Sequence, residues 1–418
     1  MDHRRVVITG IGPVTPIGIG CKAVATSLRQ GRSGVARFEP NVDHEGLKVD
    51  FGAQVKRWDP SPWLNARETR RLSRNSQFAV VATRRALEDS GLDLHADEAL
   101  ARRTGTILGT SAEFEWIYEG IVAFKTNPRG ARAVNPLTAT NAFPDAPAAH
   151  VALAHGAKGP NLAVSSACSS SLSAVGYSLD LIRTGRLDAV ISGGSEVPLT
   201  PNTLLALSLV RALSTRKDEP ETASRPFDAT RDGLVAGEGA GIVILEELEH
   251  ARRRGARMYG EVVGFGETCD ASHIVAPDPK GREQARAVHL ALEDAQLDTS
   301  DIDYIQAHGT STPINDRTET ALIKRVFGDR ARQIPISSIK SMTGHLLGAA
   351  GGVGLVATLL GMEGGFFPPT INLHQPDPEC DLDYVPNVAR PGKMDVALVQ
   401  SFGFGGKNAA LAIRRFTG

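Results

Sequence analysis

One cysteine lies where the local sequence favours a reactive thiol. The stretch Leu162–Ser171 reads L-A-V-S-S-A-C-S-S-S, a short apolar run followed by small residues around Cys168. The apolar run predicts a buried strand, and the apolar residues after the cysteine recur at helical spacing. The first turn of a helix presents unpaired N–H groups and a positive dipole end, which lower a thiol pKa and favour the nucleophilic thiolate. Cys168 is therefore a candidate nucleophile, with a buried structural cysteine as the alternative.

Three further stretches combine reactive side chains with glycine turns. His308 lies in I-Q-A-H-G-T-S-T-P, and Lys340 and His345 flank a turn in S-S-I-K-S-M-T-G-H-L-L-G. The third stretch, Ser401–Asn408, reads S-F-G-F-G-G-K-N and predicts a flexible loop. A lone histidine is more often structural than catalytic. Because ligands bind at the carboxyl ends of parallel strands, two histidines at such ends predict a site shared with Cys168.

The elements that must position these side chains alternate between strands and helices. Strands are predicted at Arg5–Gly10, which ends in a glycine turn, and at Gly105–Thr110 and Asp188–Gly194. A helix is predicted over Leu72–Asp89, ending at Ser90-Gly91. This alternation predicts an α/β fold with a largely parallel sheet.

The second half of the chain repeats features of the first. The segment Ala86–Asp93, A-L-E-D-S-G-L-D, has a counterpart in Ala291–Asp298, A-L-E-D-A-Q-L-D. The strand that follows ends at Gly109-Thr110 in the first copy and at Gly309-Thr310 in the second. The matched helix end and the matched strand end occur in the same order and at similar spacing in the two halves, which predicts an internal duplication. Chance similarity of two helix ends is the alternative.

The duplication divides the chain into two halves. We assign residues 1–255 to an N-terminal half with the nucleophilic cysteine. Residues 256–418 form a C-terminal half with the histidines, the lysine and the glycine-rich loop. The charged stretch Glu246–Arg257 is interpreted as an exposed bridge between the halves.

Composition limits the classes of function. The chain has 418 residues, with 46 basic and 47 acidic side chains, and this balance argues against general nucleic-acid binding. Its cysteines form no Cys-x-x-Cys pair, so neither a disulfide framework nor a zinc site is predicted. The N-terminal apolar run is too short for a signal peptide. The apolar stretch Leu346–Met362 carries glycines and is interpreted as a buried helix rather than a membrane span. We expect a cytoplasmic protein with no nucleic-acid or membrane partner.

The longer motifs resemble the β-ketoacyl-acyl-carrier-protein synthases of the elongating class, which have the thiolase fold. The resemblance runs nearly end to end and is carried by R-V-V-I-T-G, S-A-C-S-S, R-A-L-S-T-R, R-P-F-D-A-T-R-D-G, A-H-G-T-S-T-P, K-S-M-T-G-H-L-L-G-A-A-G and S-F-G-F-G-G. It implies two duplicated α/β halves, each with a five-stranded sheet, stacked as a five-layered αβαβα core with the site between them. It also implies a decarboxylative condensation in fatty-acid or type II polyketide chain elongation.

The resemblance implies a role for each reactive residue. Cys168 accepts an acyl group from a carrier-protein thioester, and the backbone N–H groups of Cys168 and Phe404 form the oxyanion hole. His308 and His345 then donate hydrogen bonds to the enolate that forms when malonyl-carrier protein loses carbon dioxide. Lys340 orients the histidine pair, with a structural salt bridge to an acid such as Glu319 as the alternative.

The resemblance also implies how substrates enter. The substrates arrive on the phosphopantetheine of an acyl carrier protein, so neither a metal nor another cofactor is expected. The residues implied are Phe404, Gly405 and Gly406 for a gate, Thr310 and Thr312 for pantetheine binding, and Arg67, Arg70, Arg71 and Arg211 for carrier-protein docking.

Two departures from the family pattern bear on specificity and assembly. Lys407 replaces the usual threonine after S-F-G-F-G-G, and Ser111–Ile117 reads S-A-E-F-E-W-I where the fatty-acid enzymes are glycine- and leucine-rich. In the family this segment lies at the dimer interface and the acyl-pocket floor, so these acids and the tryptophan indicate a polyketide-type synthase. A surface helix start with solvated acids is the alternative. The residues assigned to the pocket or interface are Ala112, Glu113, Phe114 and Trp116.

Assembly and two competing functions complete the sequence interpretation. The partner subunit is a second copy of the chain, giving a homodimer, or a chain-length-factor-like subunit, giving a heterodimer. A degradative thiolase is one competing function, but thiolases use a second cysteine in the C-terminal glycine loop, which has none here. A non-catalytic chain-length subunit is the other, and such subunits lack the nucleophile that Cys168 supplies.

Overall fold

The structure, a computed structural model, describes residues 3–111 and 115–417, with the exception of the Glu115 side chain. The strands are β1 (Val6–Thr15), β2 (Gly18–Ile19), β3 (Val35–Arg37), β4 (Phe51–Ala53), β5 (Thr104–Gly109), β6 (Asn161–Val164), β7 (Ala189–Glu196), β8 (Gly239–Glu247), β9 (Gly260–Cys269), β10 (Tyr304–Gln306), β11 (Ile336–Ser337), β12 (Phe366–Phe367), β13 (Arg390–Pro391), β14 (Val396–Gly403) and β15 (Lys407–Arg415).

Helices alternate with the strands along the chain. The α-helices are α1 (Cys21–Gln30), α2 (Ala66–Thr69), α3 (Arg74–Ser90), α4 (Glu98–Arg102), α5 (Glu115–Thr126), α6 (Thr138–Asn141), α7 (Ala146–His155), α8 (Ser170–Arg183), α9 (Pro201–Leu209), α10 (Leu248–Arg253), α11 (Arg282–Ala295), α12 (Pro313–Phe327), α13 (Lys340–Thr343) and α14 (Ala350–Gly364). Short 3₁₀ helices span Gly130–Ala133, Ala167–Ser169, Pro220–Thr222, Thr299–Asp301, Gly328–Arg332 and Leu347–Ala349.

The two halves have the same strand order. The N-terminal strands are arranged β6-β5-β7-β8-β1 and the C-terminal strands β11-β10-β14-β15-β9. In each half the first three strands pair in parallel, and the two pairings that follow are antiparallel. The prediction of a largely parallel sheet is therefore right only for the outer strands. The hairpin between β14 and β15 is too short for a crossover and forces antiparallel pairing. Strands β1 and β9 join the halves through two residue pairs.

Two buried helices, α8 and α14, lie in the centre of the molecule and lead away from the candidate site. Helix α14 is buried from Ala350 to Met362 on all sides, as the sequence predicted. The stretch Leu347–Gly364 is long and apolar enough to cross a membrane, but 89% of it is buried inside the molecule. Its glycines allow close packing, since a Cβ at Gly352 would lie 2.6 Å from the carbonyl oxygen of Gly241. It is a core helix.

The predicted strand end at Gly10 is wrong, because β1 continues to Thr15. Gly10 is required for packing rather than for a turn, since a Cβ there would lie 2.1 Å from the carbonyl oxygen of Ala86 in α3. The predicted end of that helix is confirmed: α3 runs to Ser90 and is capped by Gly91 in the left-handed conformation, with φ 71°.

The interpretation of Glu246–Arg257 as an exposed bridge is also wrong at its start. Glu246 belongs to β8 and is fully buried. Its carboxylate accepts hydrogen bonds from Thr9 at 2.8 Å and from Arg254 at 2.6 Å. A buried carboxylate needs such partners to offset the loss of hydration. The division of the chain at residues 255 and 256 stays a prediction.

Candidate active site

Cys168 lies in a serine-rich connection between β6 and α8, here called the nucleophile turn (residues 166–170). Ala167 has a left-handed backbone with φ 53° and is the first residue of the 3₁₀ helix Ala167–Ser169. The Ser170 hydroxyl accepts from the N–H of Ser166 at 2.9 Å and donates to the carbonyl of Ala167 at 2.6 Å. The predicted strand-to-helix position is confirmed, and the serines explain how the turn is held. The prediction that this strand is buried is wrong, because β6 lies at the edge of the sheet and its Leu162 is 52% exposed.

The expected ionisation of Cys168 is wrong for the resting site. The residue is only 7% exposed, and burial raises the pKa of its thiol to about 11. The charge of Lys340 and the backbone N–H of Phe404 lower this pKa, but their effect is smaller than that of burial. Removing a thiolate from water is costly, so desolvation outweighs the favourable groups around it. The resting cysteine is a thiol that must lose its proton to react.

The two histidines approach Cys168 from the C-terminal half. His308 follows β10, and the backbone N–H groups of His308 and Gly309 each donate to the Glu319 carboxylate at 2.7 Å. The predicted strand end is wrong for His345, which follows α13. Its backbone N–H donates to the carbonyl of Val235 at 2.7 Å. Their ring centroids are 5.3 Å apart with an angle of 83° between the planes.

Both histidine rings are neutral at ordinary pH. Each residue is 2% exposed, and burial lowers the pKa of both rings well below its usual range. The charge of Lys340 lowers both values further. Neutral imidazoles can accept a proton at one nitrogen and donate one from the other. The pair is therefore able to deprotonate a thiol and to donate to an oxyanion.

Lys340 is buried behind the histidines. Its Nζ donates a hydrogen bond to the carbonyl of His308. Burial lowers the pKa of Lys340 to about 8, although the negative charge of Glu319 opposes this shift. Burial raises the pKa of Glu319 to about 7, against the N–H groups of Gly309 and His308. Lys340 therefore contacts the histidine segment directly, and Glu319 acts on it through its charge.

The reactive atoms meet at the bottom of one cleft. One atom from each of Cys168, His308 and His345 lies within 4.8 Å of the other two. The cleft has a volume of about 530 Å³ and is lined by residues of both halves. Thr310 and Thr312 line it, with their hydroxyl oxygens 2.9 Å apart, and so does Arg211.

The prediction of a flexible loop over Ser401–Asn408 is wrong at both ends, because its first three residues belong to β14 and its last two to β15. The predicted gate residues Phe404, Gly405 and Gly406 form the turn of this hairpin. Phe404 is 36% exposed and lines the cleft, and Gly405 and Gly406 adopt left-handed conformations with φ 77° and 69°. The Gly405 N–H donates to the carbonyl of Ile274 at 2.8 Å, which fastens the hairpin to the neighbouring loop. Lys407 is exposed and pairs in register with Cys269.

Some predicted site residues lie elsewhere. Arg67, Arg70 and Arg71 are exposed on α2 and the turn after it, outside the lining of the cleft. Trp116 is half-buried at the start of α5 and is also outside this lining. Ala112, Glu113 and Phe114 lie outside the described residues.

Sequence reasoning missed a buried acid, Glu196, at the end of β7. The residue is 1% exposed, and its carboxylate accepts from the Ser111 hydroxyl at 2.7 Å and from the Gly348 N–H at 3.1 Å. It therefore joins the segment after β5 to the turn that follows His345. The available signal was an acid that ends the apolar run D-A-V-I-S-G-G-S-E.

Two halves of the same topology with a cysteine and two histidines between them define a condensing enzyme of the thiolase fold. The chain belongs to the beta-ketoacyl synthase family. The model of the beta-ketoacyl synthase N-terminal domain matches residues 3–251. The model of the C-terminal domain matches residues 259–374.

Relatives match the chain over its whole length. It is 43% identical over 419 residues to a 3-oxoacyl-[acyl-carrier-protein] synthase 2 from Synechocystis, covering 100% of the chain and 99% of the relative. The enzyme of the same name from Coxiella burnetii is 42% identical, with 99% of each chain covered.

Solved structures are equally similar in fold. A ketosynthase in complex with its type II PKS acyl-carrier protein is 35% identical with a TM-score of 0.91, covering 99% of this chain and 100% of that one. A beta-ketoacyl synthase from Burkholderia phymatum is 37% identical, with the same TM-score and coverage. The ishigamide ketosynthase/chain length factor also has a TM-score of 0.91, with 35% identity and the same coverage. The predicted thiolase fold is confirmed.

Proposed function

We propose that the chain is a β-ketoacyl-acyl-carrier-protein synthase. It joins an acyl group held on Cys168 to malonyl-carrier protein, with loss of carbon dioxide, in type II polyketide or fatty-acid chain elongation. The observation that carries this proposal is the convergence of the Cys168 thiol with two neutral histidines within 4.8 Å. The full-length relatives named 3-oxoacyl-[acyl-carrier-protein] synthase 2 support it.

The first half-reaction is transfer of the acyl group to Cys168. Because its thiol is protonated, a neutral histidine of the pair accepts the proton as the sulfur attacks the thioester carbonyl. The carrier-protein sulfur then leaves, takes that proton and departs as a free thiol. The backbone N–H groups of Cys168 and Phe404 both lower the pKa of the thiol, which supports their assignment to the oxyanion hole. They supply the oxyanion hole, where one donor contributes about 3 kcal/mol.

The second half-reaction is decarboxylation and carbon–carbon bond formation. The malonyl carboxylate leaves as carbon dioxide, and its electron pair forms an enolate. His308 and His345 donate hydrogen bonds to the enolate oxygen, and the enolate carbon attacks the acyl-cysteine and restores the thiolate. Lys340 and Glu319 hold the backbone of His308 from opposite sides. This electron flow requires no metal and no cofactor beyond the phosphopantetheine that carries both substrates.

The substrates reach the site on an acyl carrier protein. Thr310 and Thr312 present hydroxyls to the cleft and hold the pantetheine arm. Phe404, with Gly405 and Gly406, forms the gate, since left-handed glycines allow the hairpin to change conformation. Exposed arginines attract an acidic carrier protein. The docking set is Arg67, Arg70, Arg71 and Arg211.

The partner subunit is a second copy or a chain-length-factor-like chain. Helix α5 leaves apolar side chains exposed, with Ile121 at 50% and Phe124 at 56%. Strand β6 lies at the edge of the sheet, and its Leu162 is 52% exposed. Exposed apolar surface and a free strand edge mark a subunit interface. Trp116, at the start of α5, is assigned to the pocket or interface. We place the assembly in the cytoplasm.

The alternatives fit less well. Cys168 is the one cysteine that lines the cleft in the part of the chain that the structure describes, whereas a thiolase needs two. Cys380 is buried in a separate core cluster. A non-catalytic chain-length subunit lacks the nucleophile, whereas here Cys168 lies beside two histidines.

The test is intact-protein mass spectrometry with an acyl-carrier substrate. Wild type gains an acyl adduct, Cys168→Ala gains none, and Cys269→Ser serves as the matched control that keeps it. In the His308→Ala and His345→Ala variants, the rate of carbon dioxide release from malonyl-carrier protein falls by a larger factor than the rate of acyl transfer to Cys168. An adduct that survives in Cys168→Ala would overturn the proposal.

A further inference from the structure

The reactive side chains of the cleft are also a set of metal ligands. Thiolate sulfur and imidazole nitrogen are donors that zinc prefers, and zinc sites with an open position commonly have three protein ligands. Here Cys168, His308 and His345 each offer one such atom, all within 4.8 Å of one another. The open side of the set faces the cleft of about 530 Å³, from which an ion and a fourth ligand enter.

The geometry requires only a small contraction. Zinc–nitrogen bonds of about 2.0 Å and zinc–sulfur bonds of about 2.3 Å place tetrahedral ligand atoms roughly 3.3–3.6 Å apart. The present limit of 4.8 Å therefore needs a closure of about 1.5 Å or less, shared among three side chains. The two ring centroids are 5.3 Å apart, so both imidazoles lie close enough to bind one ion.

The second ring nitrogens of the two histidines determine how strongly the site is expected to bind. The Nδ1 atoms of His308 and His345 are buried and have no hydrogen-bond partner among the residues described. Ligating histidines usually donate the second ring nitrogen to an acceptor, which strengthens the site. Without that support the affinity is expected to be below that of structural zinc sites, so bound zinc would exchange.

The charges around the cleft tolerate a cation. Lys340 contributes a positive charge near Cys168, and it acts on both histidine rings. Two buried carboxylates oppose it: Glu196 acts on Cys168 and Glu319 acts on Lys340. The negative charges of these carboxylates therefore offset the positive charge of Lys340 at the position where a metal ion would bind.

We propose that the cleft binds one zinc ion through Cys168, His308 and His345, and that this ion competes with the acyl group for Cys168. On binding, the S–H bond is replaced by a zinc–sulfur bond and the proton passes to solvent, with no change of oxidation state. The competition rests on the proposed condensing function, but the binding does not. Bound zinc would therefore block acylation of Cys168 reversibly and protect its thiol from alkylation.

The binding test is equilibrium dialysis of the metal-free protein against Zn²⁺. Wild type binds one zinc ion per chain. Cys168→Ala, His308→Ala and His345→Ala each raise the Kd by at least the roughly 10–100-fold that loss of an outer-shell partner costs. Cys269→Ser, which removes an exposed thiol outside the cleft, leaves the Kd unchanged. Circular dichroism melts confirm that each variant is folded.

A second measurement works without substrate. Zn²⁺ slows alkylation of Cys168 by iodoacetamide, a chelator restores it, and protein alkylated beforehand binds no zinc. An unchanged Kd in Cys168→Ala, or loss of binding in Cys269→Ser, overturns the proposal. Zinc binding in a protein that fails to condense substrates supports the metal site and overturns the condensing function, so the two failures are distinguishable.

Discussion

The nucleophile turn of the N-terminal half and the turn after His345 (residues 346–350, here the histidine turn) share one backbone design. Each contains a non-glycine residue with a left-handed backbone, Ala167 with φ 53° and Leu347 with φ 41°. In each this residue begins a three-residue 3₁₀ helix that leads into a buried α-helix, α8 or α14. The internal duplication therefore extends to the two turns that build the site.

The two turns differ in what occupies the second position of the 3₁₀ helix. In the nucleophile turn this position is Cys168, whose side chain reaches the cleft. In the histidine turn it is Gly348, where a Cβ would lie 2.6 Å from both the Glu196 carboxylate and the Ser111 nitrogen. One copy of the turn presents a reactive side chain, and the other is closed by a carboxylate from the opposite half. The same backbone conformation thus presents the nucleophile in the N-terminal half and allows close packing in the C-terminal half.

The largest effect should come from exchanging the two residues. Gly348→Cys forces the Glu196 contact apart, and overpacking of this kind costs typically 1–3 kcal/mol. Because Gly348 lies three residues after His345, we also expect loss of carbon dioxide release. Cys168→Gly removes the nucleophile but introduces no clash, so it should fold and bind no acyl group. Urea denaturation and mass spectrometry measure both.

The control for the exchange is Gly354→Ala in α14, where the nearest side-chain atom to a Cβ is Gln306 Cγ at 3.3 Å. Alanine also favours helix over glycine by about 1 kcal/mol. We expect this variant to remain stable and active. Equal damage in Gly348→Cys and Gly354→Ala would show that the central helices tolerate no added methyl group, and the contrast between the turns would fail.

The next largest effect is a pH dependence of the free energy of unfolding, caused by the two buried histidines. Burial lowers the pKa of His308 and His345 in the folded protein, so below the usual value of 6.5 the unfolded chain binds protons that the folded chain does not. Stability is complete above that pH and falls as the pH decreases below it. The loss is up to about 1.4 kcal/mol per pH unit for each histidine.

The measurement is the urea midpoint from pH 8 to pH 5 in the presence of a chelator. The double variant His308→Leu with His345→Leu should lose less stability in acid than wild type does. His289→Leu, at an exposed histidine on α11, should follow wild type. Parallel curves for wild type and the double variant would mean that the rings take up protons in the folded protein.

The smallest effect concerns the two buried charges that act on the Cys168 thiol, those of Lys340 and Glu196. Lys340 lowers the pKa of Cys168 and Glu196 raises it. Lys340→Met should therefore slow alkylation of Cys168 at pH 8 and Glu196→Gln should speed it, each by roughly 3–10-fold as expected for one nearby charge. Lys407→Met removes an exposed charge and serves as the control. Changes in the same direction for Lys340→Met and Glu196→Gln would contradict this electrostatic account.

Local sequence patterns identified the reactive residues and the elements that carry them. The position of Cys168 between a strand and a helix follows from a run of apolar residues, small residues and helical periodicity, all within twenty residues. The end of α3 at Gly91 and the burial of α14 are equally local. Such patterns are readable because neighbouring residues fix strand, turn and helix without help from the rest of the chain.

Tertiary structure decided what depends on distant partners. The protonation of Cys168 follows from burial against both halves, and this reversed the expectation drawn from the helix start alone. Glu196 reaches Gly348 across 152 positions of the chain, a contact that no local pattern predicts. Gly10 marks close packing on α3 rather than a turn. Desolvation and packing depend on which segments fold together, and that information is spread over the whole chain.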